Sequence, residues 1–455
     1  MNMKNNLYFF IICFFVSILL ESCVSDNERR LEETLVFAGE NRTGLEKVLL
    51  HYQDDSLKLE AARFLLIHMK DRHSYRGAGI DSVRQALIET SCQQGFMERG
   101  RRDKWRSYSY AGSPKVYDAQ VIKADYLMEN IDLAFEAWQQ RGWDKYCPFD
   151  DFCNYLLPYW VGDEIPDCWR RIYRERFLPV LDSLYQGTDI VVAVDSLQSY
   201  LQRNMNFCYN NDFCFPHAGG VFILEHCIGT CREETDFLVY LLRALGIPVA
   251  VDRYIYSPDT FLAHSWNVFR DTTGHFIPTE LQRTGVTREW VNHRSKGKVY
   301  RAFSVPQEQS SIFGTLLKDV TTDYYPANEM RIAGIQSSAG EGLIGVFSMN
   351  GWIPIGRYRW HDGEALVENL EIEQIYQPLV QTVAGWKESG YPFIPQADGT
   401  VLSLVPDTTQ WESIRLVRKH PLTQYWVRQM REMDGVRFFG NNTPDFKNAE
   451  LLAVS

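Results

Sequence analysis

The sequence predicts a multi-domain protein with an N-terminal all-α region, a central α+β core and a C-terminal β-sandwich. The chain has 455 residues, which is too long for one ordinary domain. Apolar residues recur at helical spacing as far as residue 205, whereas short β-like runs between turn signals dominate from residue 318. The predicted divisions are residues 1–22 for an export signal, 23–205 for a helical domain, 206–317 for the core, 318–425 for the sandwich and 426–455 for a tail.

The first residues predict export. Residues 7–20, "LYFFIICFFVSILL", form an apolar segment behind Lys4 that is too short for a comfortable membrane span. Leu20-Glu21-Ser22-Cys23 then resembles a bacterial lipobox, and "SDNE" after it resembles the acidic tethers of Bacteroidetes surface lipoproteins. That resemblance implies an exported protein anchored in the outer membrane by lipid on Cys23. An ordinary signal peptide with a chance cysteine is the alternative.

Composition excludes several classes of function. The formal net charge is -11, which argues against a nucleic-acid partner because such proteins normally present a basic face. No Walker, Rossmann, His-Glu-x-x-His or EF-hand pattern occurs, and the cysteine spacings match no zinc pattern. We therefore predict neither a cofactor nor a metal.

Helical spacing in the first region predicts where individual helices end. The segment "DYLMENIDLAFEAWQQRG" places Leu127, Ile131, Phe135 and Trp138 on one stripe and stops at Gly142. Near the start of the region, Gly39 predicts a break between two helices. Asn41 is the predicted N-cap of the second of these helices.

The most informative helix begins in "GTCREETDFLVYLLRALGIPV", residues 229–249. Thr230 and Glu233 form a Thr-x-x-Glu capping box, which makes Cys231 the first helical residue. One apolar face follows, and its members are Phe237, Leu238, Leu241, Leu242 and Leu245. Gly246 and Pro248 predict the end of this helix.

The position of Cys231 suggests a nucleophile. Free backbone N–H groups and a partial positive charge at a helix N-terminus favour the thiolate over the thiol. A buried structural thiol is the alternative.

Two later residues supply the partners that a nucleophilic thiol needs. His264 opens the strand-like run "HSWNVF", and Glu280 ends the next run, "HFIPTE". A three-residue loop, with Gly274 left-handed, would pair Asp271 with His275 and place His264 and Glu280 on one face. A two- or four-residue loop would separate the pair. His217 and His226 are rival bases, but neither begins a strand that an acid follows.

These motifs together resemble the core of the transglutaminase-like superfamily. Gly229, Cys231, the Leu-Gly-Ile-Pro helix end, His264 with Trp266, and Pro278 match the family pattern, whereas Glu280 stands where Asp is usual. The resemblance covers about 80 residues and implies a papain-like α+β fold, with a cysteine-bearing helix packed on an antiparallel sheet.

The resemblance implies acyl transfer by a Cys231–His264–Glu280 triad. A peptide, protein or glycopeptide amide would form a thioester, which water or an amine then resolves; hydrolysis is the preferred outcome. Trp266 and His226 are candidate substrate or oxyanion contacts. The alternative is a binding or scaffold lipoprotein for glycan, peptidoglycan or protein partners that kept the fold and lost turnover.

The last residues suggest a further module. "RFFGNNTPDFKNAELLAVS" resembles the opening strands of a discoidin-like domain. About twenty residues of such a module cannot fold alone, so either the module is truncated or the resemblance is accidental.

Overall fold

The N-terminal region is helical and the C-terminal region is rich in antiparallel strands, as the sequence predicts. The structure is a computed structural model. It describes residues 25–92, 110, 112–209, 216–259, 263–281, 285–289, 294–308, 311–332, 335, 342–348, 351–361, 364–383, 385–406, 409, 437–440 and 450–454. The predicted export signal and Cys23 lie outside these residues. Among the described residues, no helix is both long enough and apolar enough to span a membrane.

The N-terminal region contains nine α-helices among the described residues. They are α1 Asp26–Phe37, α2 Arg42–His51, α3 Ser56–Ile67, α4 Ala78–Cys92, α5 Asp118–Val121, α6 Ala124–Gln140, α7 Phe149–Tyr155, α8 Trp169–Leu184 and α9 Ile190–Asn204. A small antiparallel pair, β1 His73–Tyr75 with β2 Lys115–Tyr117, interrupts them. This pair is not predictable from the sequence, because three-residue strands carry too short a pattern.

The predicted ends of these helices are largely confirmed. Helix α6 ends at Gln140, and Gly142 takes the left-handed conformation with a φ of 66°. Asn41 does occupy the position before α2, but its predicted capping role is wrong. Its side-chain amide instead donates to the carbonyl oxygens of Ala119 and Ile122 at 3.0 and 2.8 Å, which ties α2 to the connection after α5.

The chain forms two compact units. The first comprises residues 1–252, 265–291 and 302–307, and the second comprises residues 253–264, 292–301 and 308–455. The five divisions predicted from the sequence are finer than these units and stay predictions.

Between the helical region and the C-terminal strands, short strands alternate with two helices. These elements are β3 Cys208–Tyr209, α10 Gly220–His226, β4 Ile228–Gly229, α11 Cys231–Ala244, β5 Val249–Tyr254, β6 His264–Arg270 and β7 Phe276–Thr279. In the first unit, β6 lies between β5 and β7. Strands β6 and β7 coincide with the two strand-like runs predicted from the sequence.

Helix α11 lies at the centre of the apolar core of the first unit. Its predicted apolar face is confirmed, since Phe237, Leu238, Leu241, Leu242 and Leu245 are all buried. The rings of Tyr173 on α8 and Phe237 lie 5.5 Å apart between centroids. Complete burial of a side chain of this size stabilises the fold by about 1.5–3 kcal/mol. The start of α11 is therefore held on a rigid element.

The second unit is built from antiparallel strands. Strand β8 Tyr300–Ala302 neighbours β9 Leu317–Asp319. A six-stranded sheet follows in the order β10-β13-β12-β11-β14-β15, with a separate pair β16-β17. Its strands are β10 Glu329–Ile332, β11 Gly342–Ser348, β12 Gly351–His361, β13 Glu364–Glu368, β14 Gln377–Thr382 and β15 Gly385–Glu388, and the pair is Phe393–Pro395 with Val401–Ser403.

The antiparallel prediction for this region is confirmed, whereas the two-sheet sandwich stays a prediction. Within the predicted tail, 426–455, the structure describes only β18 Arg437–Gly440 and β19 Glu450–Val454, which pair antiparallel. The rest of the discoidin-like segment lies outside the described residues.

Candidate active site

The capping box that starts α11 is confirmed. The backbone N–H of Thr230 donates to Oε2 of Glu233 at 2.9 Å, and the backbone N–H of Arg232 donates to Oγ1 of Thr230 at 3.2 Å. Cys231 is the first helical residue, is partly exposed and is not part of a disulfide. At the other end, Gly246 takes the left-handed conformation that was predicted for it, with a φ of 81°. The thiol therefore lies at the positive end of a helix with ordered termini.

Glycine is required two residues before the thiol. A Cβ atom at Gly229 would lie 2.3 Å from the Cβ of Glu233, which leaves no room for a side chain. Burial opposes the charge of Glu233, but the Arg232 guanidinium and the Thr230 hydrogen bonds outweigh burial and lower the pKa of Glu233. The glycine two residues before Cys231 therefore lets the ionised side chain of Glu233 pack closely against the backbone at Gly229.

A tyrosine that the sequence analysis did not single out contacts the thiol. Strand β3 pairs in parallel with β4, so that Tyr209 faces Gly229. The Tyr209 hydroxyl lies beside the side chain and the backbone of Cys231, and both affect its pKa. Partial burial and the neighbouring thiol raise the pKa of Tyr209 to about 12, so the hydroxyl keeps its proton at neutral pH. The two-residue strand that positions it has no recognisable sequence signal.

The hairpin of β6 and β7 has the predicted register. The backbone N–H of Asp271 donates to the carbonyl of His275 at 2.9 Å, and Gly274 is left-handed with a φ of 87°. Asn267 pairs with Thr279, and Val268 pairs with Pro278. Continued by one residue, this register sets Trp266 opposite Glu280. The alternative two- and four-residue loops are thereby excluded.

Two buried amides fix this hairpin against the helices of the first unit. The side-chain amide of Asn267 donates to the carbonyl of Thr235 on α11 at 2.9 Å. The side-chain amide of Gln198 on α9 donates to the hydroxyl of Thr279 at 2.6 Å. Because both amides are buried, the strands that carry His264 and Glu280 have little freedom to slide past α11.

The predicted triad residues occupy the ends of three elements. Cys231 begins α11, His264 begins β6, and Glu280 directly follows β7. Cys231 and Glu280 belong to the first unit, whereas His264 belongs to the second, where its ring lies 6.0 Å from that of Tyr254. The meeting of the three side chains in one cleft stays a prediction.

His217 has an acidic partner that the sequence analysis did not find. Its Nδ1 lies 2.7 Å from Oδ2 of Asp236 on α11. Burial opposes the charge, but the Asp236 carboxylate outweighs it and raises the pKa of His217. Asp236 follows Cys231 by five helical positions, so the two side chains leave α11 about 140° apart. The pair therefore joins the chain before α10 to the flank of α11, away from the thiol.

The remaining candidates differ in exposure. Trp266 is completely buried within β6. His226 ends α10, and partial burial lowers its pKa. Their predicted roles as substrate or oxyanion contacts stay predictions. No group of three or more His, Cys, Asp or Glu side chains among the described residues is arranged to hold a metal ion.

Comparisons with known proteins add little. No protein-family model matches the chain, and no curated protein matches it. A crystal structure from Cytophaga hutchinsonii, provisionally named a cysteine protease, is similar over 44% of this chain and 58% of that chain. Its sequence identity is 10% and its TM-score is 0.21, values at which the likeness supports no argument about fold or function.

Proposed function

We propose that this protein is a cysteine-dependent acyl-transfer enzyme that hydrolyses an amide bond through a thioester. Cys231 is the nucleophile, His264 the general base and acid, and Glu280 the group that orients the imidazole. The observation that carries this proposal is the thiol at the capped N-terminus of α11, beside the Tyr209 hydroxyl. Thiolates at such positions are stabilised by the helix and by neighbouring donors.

The hairpin register supports the roles of the other two residues. Opposite residues of an antiparallel pair share a face, as do alternate residues of one strand. In this register Trp266 lies opposite Glu280. His264 precedes Trp266 by two residues in β6, so it lies on the same face of the hairpin as Glu280. A carboxylate in that diagonal position accepts from one ring nitrogen and leaves the other for the thiol.

The reaction follows in two balanced steps. The Cys231 sulfur attacks the amide carbonyl, the C–N bond breaks, and the imidazolium of His264 gives its proton to the leaving amine. Water then adds to the thioester while His264 accepts one of its protons. The C–S bond breaks, which releases the carboxylic acid and regenerates the thiol–imidazole pair.

Two donors are available for the oxyanion that develops in each step. One is the backbone N–H of Cys231 at the helix tip, and the other is the Tyr209 hydroxyl beside it. Rotation of the hydroxyl about its C–O bond turns its proton toward the substrate oxygen.

The fold family, the membrane anchor and the substrate class belong to the same proposal. Packing of α11 in the core beside strands β5, β6 and β7, of which β6 and β7 pair antiparallel, is consistent with a papain-like, transglutaminase-like core. We propose that the protein is exported and anchored in the outer membrane through lipid on Cys23, and that it acts on peptide, protein or glycopeptide amides. Mass spectrometry of the mature N-terminus, compared with a Cys23→Ala variant, tests the anchor separately.

Covalent labelling of the proposed nucleophile, Cys231, tests the enzymatic proposal. A peptide and glycopeptide panel with an amide-mimicking electrophile is incubated with wild-type protein and with Cys231→Ala, and adducts are located by mass spectrometry. Adducts confined to Cys231, together with hydrolysis of the matching amides, support the proposal. Adducts spread over several cysteines, with no hydrolysis, would contradict it and favour the binding or scaffold function.

A further inference from the structure

A cavity of about 280 Å³ lies in the first unit. The described residues that line it are Leu201, Gln202, Met205, Asn206, Phe207 and Leu281. Whole-ligand pockets usually have about 300–1,000 Å³, so this volume suits a single substrate side chain.

Two residues that line the cavity are close in sequence to residues of the candidate site. Phe207 is two residues before Tyr209, whose hydroxyl lies beside Cys231. Leu281 directly follows Glu280. Since two residues of chain span at most about 7 Å, the Phe207 side of the cavity lies near Tyr209.

The cavity wall contains an unsatisfied hydrogen-bond donor. The side-chain nitrogen of Gln202 is buried, and no described residue accepts from it. A buried polar group without a partner is costly, and a ligand that supplies the partner recovers that cost. None of the six lining residues is ionisable, so a charged ligand group would enter without a counter-charge from them.

We propose that this cavity is the specificity pocket for the substrate side chain next to the scissile amide, and that it selects a neutral side chain with a hydrogen-bond acceptor. The proposal rests on the acyl-transfer function assigned to Cys231. Asparagine, leucine and aspartate have nearly the same shape and differ in the property at issue. Asparagine satisfies Gln202, leucine leaves it unpaired, and aspartate buries a charge.

The test measures binding, so that it does not depend on turnover. Acetyl-Xaa-methylamides with Xaa as Asn, Leu or Asp are titrated by ligand-observed NMR into the Cys231→Ala protein, with and without Gln202→Met. We expect the asparagine compound to bind on the order of ten-fold more tightly than the other two. Gln202→Met, which keeps the shape of the side chain and removes the donor, reverses the order in favour of leucine. Gln202→Leu serves as a second variant if Gln202→Met does not fold, and Gln85→Met on an exposed face is the matched control.

Three results would contradict the proposed role of the cavity as a specificity pocket. They are equal binding of the three compounds, a preference for asparagine that survives both Gln202 variants, and no binding at the highest soluble concentration. Such a result leaves the function of Cys231 standing if the thioester is still trapped in the wild-type protein. Failure of trapping with an intact asparagine preference would instead remove the catalytic proposal and leave a binding pocket.

Discussion

The Tyr209 hydroxyl lies beside the side chain and the backbone of Cys231, which places a phenol at the tip of α11. The contact joins residues 22 positions apart through the short parallel pairing of β3 with β4. The Tyr209 side chain is therefore close to both the Cys231 sulfur and the Cys231 backbone N–H, which is a proposed oxyanion donor.

Tyr209→Phe is therefore expected to affect two reactions by different amounts. Alkylation by iodoacetamide develops no oxyanion, so its rate at neutral pH falls only about two- to ten-fold, the value of one hydrogen bond. Amide hydrolysis loses an oxyanion donor as well and falls about 100-fold or more. Both rates are measured on the same preparations, with Tyr391→Phe at an exposed position as control. Equal losses in the two reactions, or faster alkylation, would contradict this role.

The buried His217–Asp236 pair predicts a pH dependence of stability. The folded pKa of His217 is raised by Asp236, so its contribution is fully present below the unfolded value of about 6.5 and is lost as pH rises through the folded pKa. Asp236→Asn breaks a buried pair and lowers the free energy of unfolding by about 3–5 kcal/mol at pH 6. Urea unfolding from pH 5 to 9 measures the difference between the two proteins. That difference shrinks with rising pH if the account is right, and a constant difference would argue against it.

Gly229→Ala tests the close packing before the thiol. The added methyl group overlaps the Glu233 side chain, so we expect a loss of about 1–3 kcal/mol in the free energy of unfolding and slower alkylation of Cys231. Gly112→Ala is the matched control, because a Cβ there meets nothing within 4 Å. Guanidinium unfolding and alkylation rates are measured for both variants. Similar behaviour of the two would show that the cap does not depend on Gly229.

Asn267 tests the attachment of β6 to α11. Asn267→Asp places a carboxylate against the carbonyl of Thr235 in a buried position, whereas Asn267→Leu keeps the volume without charge. We expect the aspartate variant to be the less stable of the two by several kcal/mol at pH 7, and to recover stability as pH falls and the carboxyl is protonated. Thermal unfolding at pH 5 and pH 7 checks both statements. Equal stability of the two variants at pH 7 would rule out the close contact.

Much of the site scaffold follows from the sequence because its signals are local. The capping box at Thr230 and Glu233, the left-handed Gly246, and the Gly274 loop each depend on residues within a few positions of one another. One loop length then determines the pairing of the whole hairpin, including Asn267 with Thr279.

The features that the sequence predicts wrongly or does not predict depend on contacts between residues far apart in the chain. The Asn41 side chain bonds to carbonyls 78 and 81 positions away, which outweighs its local capping preference. Tyr209 and Asp236 are positioned by pairing and packing across the core, and neither has a local pattern that would identify it. The buried donor of Gln202 is likewise visible only when the cavity is formed.

The pH dependence of Cys231 alkylation tests the central claim most directly. Wild-type protein and His264→Ala are treated with iodoacetamide across pH 5 to 9, and modification of Cys231 is followed by peptide mass spectrometry. The account predicts that Cys231 of the wild type reacts well below pH 8.5, the usual pKa of a free cysteine thiol, and that His264→Ala loses this reactivity. A Cys231 that reacts no faster than an unfolded thiol, with the same profile in both proteins, would contradict it.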